Sequence, residues 1–395
     1  MSLLFISSLV PDKDEYRNPA FTRSGQNVMK GIADALCEEH DVELVSCRPL
    51  PSFPKGPLWV KSSTDTTDKG QLIHFLPTLN LLFVKNIVWG IYAYKYMRKW
   101  ARKHKDERRD VLVYNIYLPI ISALYRAAKN TRSKLYAILY DLGVPPAHLN
   151  LGRLKMFGYR QFEKLAYKYI PLLDGRIVIN EKIIDEYAPG MDSILIDGGI
   201  NDDVVNKLFP LAKTDGKTIT YVLAGMLWEQ NGTGLILETL KDRPDLDVKV
   251  IFAGKGNAVD EILDAARYDS RIEYMGMLNM NELFKVYEKS DVLLNLRIEE
   301  ENDMHFPSKL LEYMSIGKWV ISTPVAHAER DYGEFLDFLY EMTPDALALK
   351  MEYIARMPKE LLLERGKRTR AFMLDNRTWN KRTQEIIKYI NGKKK

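Results

Sequence analysis

Short apolar runs alternate with helical patterns along both halves of this 395-residue sequence, and no other feature limits the possible folds as strongly. Runs such as "LLFIS" (3–7) and "DVKVIFAG" (247–254) are apolar at most positions, so both faces of each strand must be buried. Strands of this kind form parallel sheets with helices on each side. The sequence therefore predicts an α/β fold in which two doubly wound, Rossmann-like domains face a cleft.

The domain boundary is expected near 197–217, a stretch that is rich in Gly and Asp and lacks periodicity. We predict a first domain over 1–200, a linker over 201–216 and a second domain over 217–375. A C-terminal helix over 376–395 is expected to pack back on the first domain. The strands are predicted at 3–7, 41–47, 110–116, 134–141, 175–180, 193–197, 218–225, 247–254, 271–276, 291–296 and 318–323.

Several kinds of protein are excluded by composition. Cys37 and Cys47 are the only cysteines, so no disulfide framework forms, and the six histidines have no metal-ligand spacing. No run reaches the roughly 20 apolar residues of a membrane span. The start "MSLLFISSLV" lacks a basic region, which favours a first core strand over a signal peptide. We expect a cytoplasmic protein without a metal or other cofactor.

The stretch "HFPSKLLEYMSIGKWVIST" (305–323) predicts a helix that begins at Pro307 and leads into a buried strand. Helical side chains lean toward the N-terminus, so Glu312 leans toward the helix start. The N-terminal N–H groups of Ser308 and its neighbours favour an anion there, and Lys309 adds positive charge. Two interpretations stay open: a site for a phosphate with a hydroxyl-rich group, and an ordinary amphipathic helix with solvated Glu and Lys.

The same stretch resembles the donor-site signature of the GT-B glycosyltransferases, specifically the GT4-like retaining family (glycosyl transferases group 1). The resemblance continues, in the same order and spacing, in "LIDGGIN" (195–201), "YVLAGMLWEQNG" (221–232), "VIFAGKGN" (250–257) and "YEKSDVLLNL" (287–296). It covers the C-terminal half well and the first half mainly in layout. It implies a metal-independent hexosyltransferase-type enzyme (EC 2.4), which moves a sugar from a nucleotide-diphosphate-sugar to an acceptor hydroxyl with retention.

By this resemblance, Glu312 holds the donor ribose, while Ser308 and Lys309 lie near the diphosphate. Further donor-binding residues are expected at the Gly-rich turns of the second domain and at the helix start of the first. They are Gly225, Asn231, Gly254 and Gly25, with Arg23 as a further phosphate or sugar contact.

The sequence also departs from the family pattern. Met226 and Asn231 stand where the family usually has an Arg and a Lys, and Met304 replaces the first Glu of a Glu pair. Some other cation must then offset the phosphate charge if the protein is an enzyme. Lys309, Arg297 and Lys255 are candidates for this charge. The candidate replacements for the missing acid are Asp303, Glu301 and His305.

In the first domain, "AILYDLGVPP" (137–146) ends a predicted strand. The family often has His-Asp at this place, and here Tyr140 precedes Asp141. The resemblance implies that Asp141 is a catalytic acid near the reacting carbon. The alternative is an Asp that caps a turn before Pro145, and the residues alone leave both possibilities open.

The long helical pattern at 79–105 is apolar and aromatic first and densely basic at its end. This pattern is typical of a helix on an anionic membrane surface, although a core helix with a solvated basic end has the same pattern. The membrane interpretation involves Trp89, Tyr92, Tyr96, Arg98, Lys99, Trp100, Arg102 and Lys103.

The predicted function is transfer in surface polysaccharide or glycolipid biosynthesis, with a glycan or lipid-linked acceptor and a peripheral place on the inner face of the plasma membrane. Nucleic acid is not an expected partner, because the basic cluster is a single helix end without a binding motif. The alternative is a catalytically weakened glycosyltransferase-like subunit that supports a partner enzyme. A GT-B enzyme of another class, such as an inverting transferase or a sugar epimerase, also stays open.

Overall fold

The computed structural model describes residues 1–140, 142, 153–212, 214, 218–297 and 304–392. The chain forms two units. Unit 1 comprises Met1–Gly199 and Trp379–Lys395, and unit 2 comprises Ile200–Thr378. Each unit is built on a mainly parallel sheet with helices, which confirms the predicted α/β class.

The main sheet of unit 1 has eight strands in the order β10-β9-β8-β7-β1-β2-β5-β4. All its neighbours are parallel except β4 and β5. The strands of the unit are β1 (Ser2–Ser7), β2 (Val42–Ser46), β3 (Trp59–Val60), β4 (Ser63–Thr66), β5 (Leu72–Phe75), β6 (Thr78–Leu79), β7 (Arg109–Tyr114), β8 (Lys134–Leu139), β9 (Gly175–Val178) and β10 (Ile194–Leu195).

Five helices connect these strands, in addition to short 3-10 turns at Asp14–Tyr16 and Ile170–Leu172. They are α1 (Arg23–Glu39), α2 (Val84–Lys103), α3 (Ile120–Thr131), α4 (Arg153–Tyr167) and α5 (Lys182–Tyr187). None of the helices in the described part of the chain has both the length and the apolar character needed to cross a membrane.

No strand is predicted in the polar stretch before Gly70, but the structure places β4 there. Its sequence "STDT" is exposed and has no apolar alternation, because β4 is an edge strand that pairs only with β5. The pairing is antiparallel, from Ser63–Phe75 to Thr66–Leu72. Backbone hydrogen bonds alone define this strand, so hydrophobic periodicity could not reveal it.

The sheet of unit 2 has six parallel strands in the order β13-β12-β11-β14-β15-β16. They are β11 (Ile219–Met226), β12 (Val248–Lys255), β13 (Ile272–Tyr274), β14 (Val292–Asn295), β15 (Trp319–Ser322) and β16 (Asp337–Phe338). Its helices are α6 (Asp202–Val205), α7 (Thr233–Asp242), α8 (Val259–Ala266), α9 (Met280–Lys289), α10 (Ser308–Ile316), α11 (Ala328–Tyr332), α12 (Pro344–Ala355) and α13 (Lys359–Asn376).

The last helix, α14 (Trp379–Gly392), belongs to unit 1 although unit 2 precedes it in the chain. Its first residue, Trp379, is buried against two glycines. A Cβ atom at Gly31 or Gly199 would lie only 2.0 or 2.5 Å from the indole ring. A buried ion pair between Arg382 and Asp197 (3.1 Å) holds the helix further along. The helix is therefore tied to unit 1 by close packing and by charge.

We expect Trp379→Ala to destabilise unit 1 by about 3–5 kcal/mol, because it empties a large buried space between α14 and α1. Urea denaturation followed by circular dichroism measures this change. The control is Trp59→Ala, which removes a half-exposed indole in the same unit and should have little effect. Equal effects of the two substitutions would contradict the packing described for α14.

Candidate functional site

The chain order reverses between β11 and β14 of unit 2. From β11 the chain continues outward through β12 and β13, and it then returns to β14 on the other side of β11. In doubly wound sheets, ligands bind at the carboxyl ends of the strands at such a switch point. The residues at this edge are therefore the first place to look for a ligand site.

Two glycines with positive φ face each other at this edge. Gly225 (φ +124°) ends β11 and pairs in register with Gly254 (φ +145°) of β12. A Cβ atom at Gly254 would lie 1.9 Å from the Gly225 carbonyl oxygen. Gly225 is exposed, and a Cβ atom there would meet nothing within 4 Å. The edge beside Gly225 is thus open backbone, which allows close approach of a ligand.

The N-terminus of α7 lies directly against the end of β14. Gly232, which precedes the helix, has φ +77°, and a Cβ atom there would lie 2.5 Å from Cβ of Leu296. Just before it, Asn231 Nδ2 donates a hydrogen bond to the Met226 carbonyl oxygen at 2.6 Å. The predicted residue Asn231 is therefore joined by a structural hydrogen bond to Met226, the strand residue that follows Gly225.

Helix α10 begins at Ser308, and no side chain caps its first turn. The sequence predicted Pro307 at the first helical position, but its ψ of 101° makes it the N-cap instead. Ser308 is exposed at the helix start. The N–H groups and the dipole of this turn are suited to an anion.

Glu312 is held in place by two hydrogen bonds to the same carboxylate oxygen. Lys309 Nζ donates to Oε1 at 2.7 Å, and the Tyr287 hydroxyl donates to it at 3.1 Å. Among the described residues, no hydrogen bond to the second oxygen, Oε2, is found. The side chain is 23% exposed. One oriented carboxylate oxygen is therefore available to an external hydroxyl group.

Two buried tyrosines lie beside Lys309: Tyr287 of α9 and Tyr313 of α10, and Tyr313 connects α10 to β11. The rings of Tyr287 and Tyr313 meet edge to face at 5.8 Å, and Lys309 Nζ lies 5.7 and 5.6 Å from their centres. The Tyr313 hydroxyl donates to the Ala224 carbonyl oxygen (3.0 Å) and accepts from the Ala224 N–H (2.9 Å). Ala224 precedes Gly225, so Lys309 and Glu312 are fixed near the open glycine edge.

Burial raises the pKa of the Tyr287 and Tyr313 hydroxyl groups above the usual value for tyrosine. For Tyr287, the neighbouring Glu312 carboxylate is the next largest cause of the raised pKa. For Tyr313, the hydrogen bond from the Ala224 N–H opposes the effect of burial on the pKa. Both phenols therefore stay protonated at neutral pH and remain hydrogen-bond donors.

Met226, which stands where the resembled family usually has an Arg, is exposed and has a lysine beside it. Met226 is 44% exposed, and its register partner on β12 is Lys255. Neighbouring strands lie about 4.8 Å apart, so the two residues are adjacent. Lys255 is exposed, and no ion pair with it is found in the described part of the chain.

The structure describes Arg297 and Met304, but not Asp303, of the remaining phosphate and acid positions considered in unit 2. Arg297 follows β14, where its N–H and carbonyl groups both bond the Thr323 hydroxyl, at 3.1 and 2.6 Å. Met304 is buried, so the place of the missing Glu is apolar. Asp303 lies outside the described residues.

In unit 1, Asp141 also lies outside the described residues. The preceding Tyr140 is buried; its hydroxyl bonds the Ile196 carbonyl oxygen and its N–H donates to Asn115 Oδ1 (2.9 Å). Arg23 is exposed in the first turn of α1, and Gly25 lies in the same turn. A Cβ atom at Gly25 would lie 2.9 Å from Thr22 Oγ1. Gly25 and Arg23 are thus neighbours at one helix start.

Sequence reasoning missed a small cavity at the switch point of unit 1, between β1 and β7. It has a volume of about 40 Å³. One residue in its lining, Asn115, has φ +56°, a conformation that Asn tolerates better than most residues. No periodicity marks this position, although an Asn directly after a predicted strand is a usable signal. The polar side chains that line the cavity are Ser7, Ser8, Tyr114, Asn115 and Tyr117.

The structure corrects the membrane-facing aromatic surface predicted for α2. Trp89 and Trp100 are only 6% and 3% exposed, so their rings pack inside unit 1 and are not available to lipid. Tyr96 packs at 5.7 Å from the His74 ring, and Tyr92 is half-buried. The helical periodicity of these aromatics is that of the inward face. The basic end is partly exposed at Arg98 and exposed at Lys99, Arg102 and Lys103.

Comparison with known proteins agrees with this geometry. The model of the family described as "Glycosyl transferase-like" matches residues 233–388. No curated protein matches.

Three solved structures are similar over nearly the whole chain. Sucrose-phosphate synthase from Thermosynechococcus elongatus has a TM-score of 0.62 and 13% identity, with 99% of both chains covered. Anabaena Alr3699/HepE in complex with UDP has a TM-score of 0.59 and 12% identity, with 99% of this chain and 100% of that chain covered. A trehalose-6-phosphate synthase has a TM-score of 0.64 and 11% identity, with 98% and 99% covered.

These matches over nearly the whole chain show that the protein has the fold of the GT-B glycosyltransferases. The predicted resemblance is confirmed for the GT-B fold, and residues 233–388 match the glycosyl transferase-like family model.

We expect Gly254→Ala to destabilise unit 2, because the new methyl group would meet the Gly225 carbonyl oxygen and φ is +145°. Strain of this kind costs about 1–3 kcal/mol. The control is Gly234→Ala in α7, where nothing lies within 4 Å of the added methyl group. That change should stabilise the protein by up to about 1 kcal/mol. Thermal unfolding of both variants should give shifts of opposite sign, and shifts of the same sign would contradict the close strand approach.

Proposed function

We propose that this protein transfers a hexosyl group from a nucleotide-diphosphate-sugar to an acceptor hydroxyl, with retention at the anomeric carbon. The observation that carries this proposal is the position of Glu312. Its Oε2, to which none of the described residues donates a hydrogen bond, lies on α10, and the Tyr313 hydroxyl fixes α10 to β11 beside the open Gly225. A carboxylate of this kind is suited to accept hydrogen bonds from the hydroxyls of a ribose.

The diphosphate is proposed to bind at the first turns of α10 and α7. Neither helix has a side-chain cap, whereas Asn279 caps α9 and Thr343 caps α12. Helix starts without caps offer N–H groups to phosphate oxygens. Ser308 is placed to add a hydroxyl to the same group of donors.

We propose that transfer proceeds without a metal ion, because protein cations offset the phosphate charge. Lys309 is oriented by Glu312 and by two tyrosine rings. Lys255 adds a second charge, next to Met226, where the related enzymes usually have an Arg. Preorganised charges of this kind stabilise the departing nucleotide in the transition state.

The acceptor side is proposed from the resemblance. Asp141 would orient the acceptor hydroxyl, and Arg23 and Gly25 would approach the transferred sugar and the phosphate. Retention is supported by the similarity to a trehalose-6-phosphate synthase studied for glycosyl transfer with retention. We propose a glycan or lipid-linked acceptor in surface polysaccharide or glycolipid synthesis, reached by a cytoplasmic protein at the inner face of the membrane.

The test is donor binding by isothermal calorimetry with a panel of UDP-, GDP- and dTDP-sugars in buffer that contains EDTA. We expect one nucleotide sugar to bind and Glu312→Ala to weaken its binding about 10- to 100-fold, because a hydrogen bond to a charged group contributes about 1.5–3 kcal/mol. Glu261→Ala, an exposed carboxylate on α8, is the control and should bind as the unsubstituted protein does. If no nucleotide sugar binds, the proposal is wrong.

The role of Lys255 is tested by a rescue experiment. Lys255→Gln should weaken donor binding about tenfold, because one charge-assisted contact to the diphosphate is lost. Adding Met226→Arg should restore most of it, since the new cation stands on the adjacent strand. Lys249→Gln, at the other end of β12, removes an equal charge in an exposed pair with Glu273 and should have no effect. Unchanged binding in Lys255→Gln would show that another cation serves the diphosphate.

The alternative is a glycosyltransferase-like subunit with weakened or no catalysis of its own. Met226 and the buried Met304 favour it, because both replace charged residues of the family pattern. The two functions differ in one readout. The enzyme hydrolyses or transfers the bound sugar slowly in the absence of a partner, whereas the subunit binds the donor and leaves it intact.

A further inference from the structure

A groove of about 640 Å³ runs along one flank of unit 1, between α3 and the chain that joins α4 to β9. On α3, its wall is the face formed by Ser122, Tyr125, Arg126 and Lys129, which recur at i, i+3, i+4 and i+7. The opposite wall is formed by residues at the same spacing, namely Leu165, Lys168, Tyr169 and Leu172. The remaining face of α3 is turned to the core, where Leu124, Ala127 and Ala128 are buried.

The floor of this flank groove is apolar. The rings of Tyr125 and Tyr169 meet edge to face at 5.7 Å. Leu165 and Leu172 border them and are 45% and 50% exposed. Exposed apolar surface inside a concave groove is a feature of ligand sites.

The rim of the flank groove is cationic. Arg126, Lys129 and Lys168 are all exposed, and the described residues that line the groove include no carboxylate. In the described part of the chain, no ion pair with any of the three is found. Lys129 Nζ lies 5.4 Å from the centre of the Tyr125 ring, so this charge is held over the floor. An apolar floor below unneutralised cations is complementary to a molecule with an anionic head and a hydrocarbon chain.

The flank groove begins at Leu118, just after the carboxyl end of β7, and runs along the whole of α3. Lys129 lies in the last turn of α3, shortly before β8 begins, and Leu172 lies shortly before β9 begins. The groove therefore extends to the amino ends of these strands, away from the edge where doubly wound sheets bind their ligands. A nucleotide sugar at a switch point does not account for it.

We propose that the flank groove binds an anionic glycerophospholipid of a membrane surface. Arg126, Lys129 and Lys168 contact the phosphate group, and the first methylene groups of a chain lie on the floor between Leu165 and Leu172. A free phosphate group would leave the leucines uncovered, and a nucleic-acid backbone has no hydrocarbon chain to cover them. The purpose of this contact, access to a lipid-linked acceptor, rests on the proposed function, whereas the binding itself does not.

The experiment is co-sedimentation of the full chain with vesicles of phosphatidylcholine, with and without phosphatidylglycerol. The unsubstituted protein should bind the anionic vesicles and bind the zwitterionic ones much more weakly. Each basic residue near an anionic surface contributes a factor of about five, so the triple variant R126Q/K129Q/K168Q should bind about 100-fold more weakly. The charge-matched control K241Q/K285Q/K289Q, on exposed helix positions of unit 2, should stay within about twofold.

A second variant tests the apolar floor. L165Q/L172Q keeps every charge and should still bind anionic vesicles at least about tenfold more weakly, because the hydrocarbon contact is lost. Both leucines are half-exposed, so the fold should be retained, and circular dichroism checks this. Inorganic phosphate at the concentration of the lipid phosphate should not displace the protein from the vesicles.

Four results would overturn the inference: no binding to anionic vesicles, equal loss in the two charge variants, full binding by L165Q/L172Q, or complete displacement by inorganic phosphate. Equal loss would indicate attraction by overall charge, and displacement by phosphate would indicate a simple anion site. Donor binding by calorimetry is measured on the same variants. Loss of vesicle binding with unchanged donor binding separates this inference from the proposed function.

Discussion

The two hydrogen bonds between the Tyr313 hydroxyl and Ala224 determine the geometry of the candidate site. They join a helix to the last buried residue of a central strand, 89 positions earlier in the chain. Their strength comes from burial, since a partnerless N–H or carbonyl group at this depth would cost about 1–3 kcal/mol. Because Tyr313 adjoins Glu312, the same contact fixes the carboxylate relative to the glycine edge.

Parallel strands that are buried on both faces explain why such a site can form at all. The carboxyl ends of β11, β12 and β14 then gather at one edge, together with the helix starts that follow. Gly225 and Gly254 keep that edge free of side chains. The site is consequently made of backbone and a few fixed side chains, and it depends little on the identity of the surrounding surface residues.

Much of the fold was predictable from local patterns. The apolar runs at 3–7, 218–225 and 247–254 became central strands, and α10 formed where the signature predicted it. The predicted α/β class and the GT-B fold are both confirmed. Local patterns succeed here because the strands are buried on both faces and are therefore apolar at most positions.

The remaining features depend on contacts between distant parts of the chain. The adjacency of Lys255 and Met226 follows from the register of β11 and β12, which no local pattern contains. Periodicity placed the aromatics of α2 on one face, but it could not tell that this face turns inward at Trp89 and Trp100. The flank groove likewise combines two segments, 122–129 and 165–172, that are about 40 positions apart in the chain. The sequence of each segment alone indicates only a solvated basic surface.

The most direct test of the central claim is a crystal structure of the protein with the nucleoside diphosphate of the donor that binds. The account predicts a ribose hydroxyl within hydrogen-bond distance of Glu312 Oε2, about 2.6–3.0 Å, and the diphosphate at the first turn of α10. It also predicts the Lys255 ammonium group beside a phosphate oxygen. A nucleotide bound elsewhere, or one whose ribose does not contact Glu312, would contradict the claim.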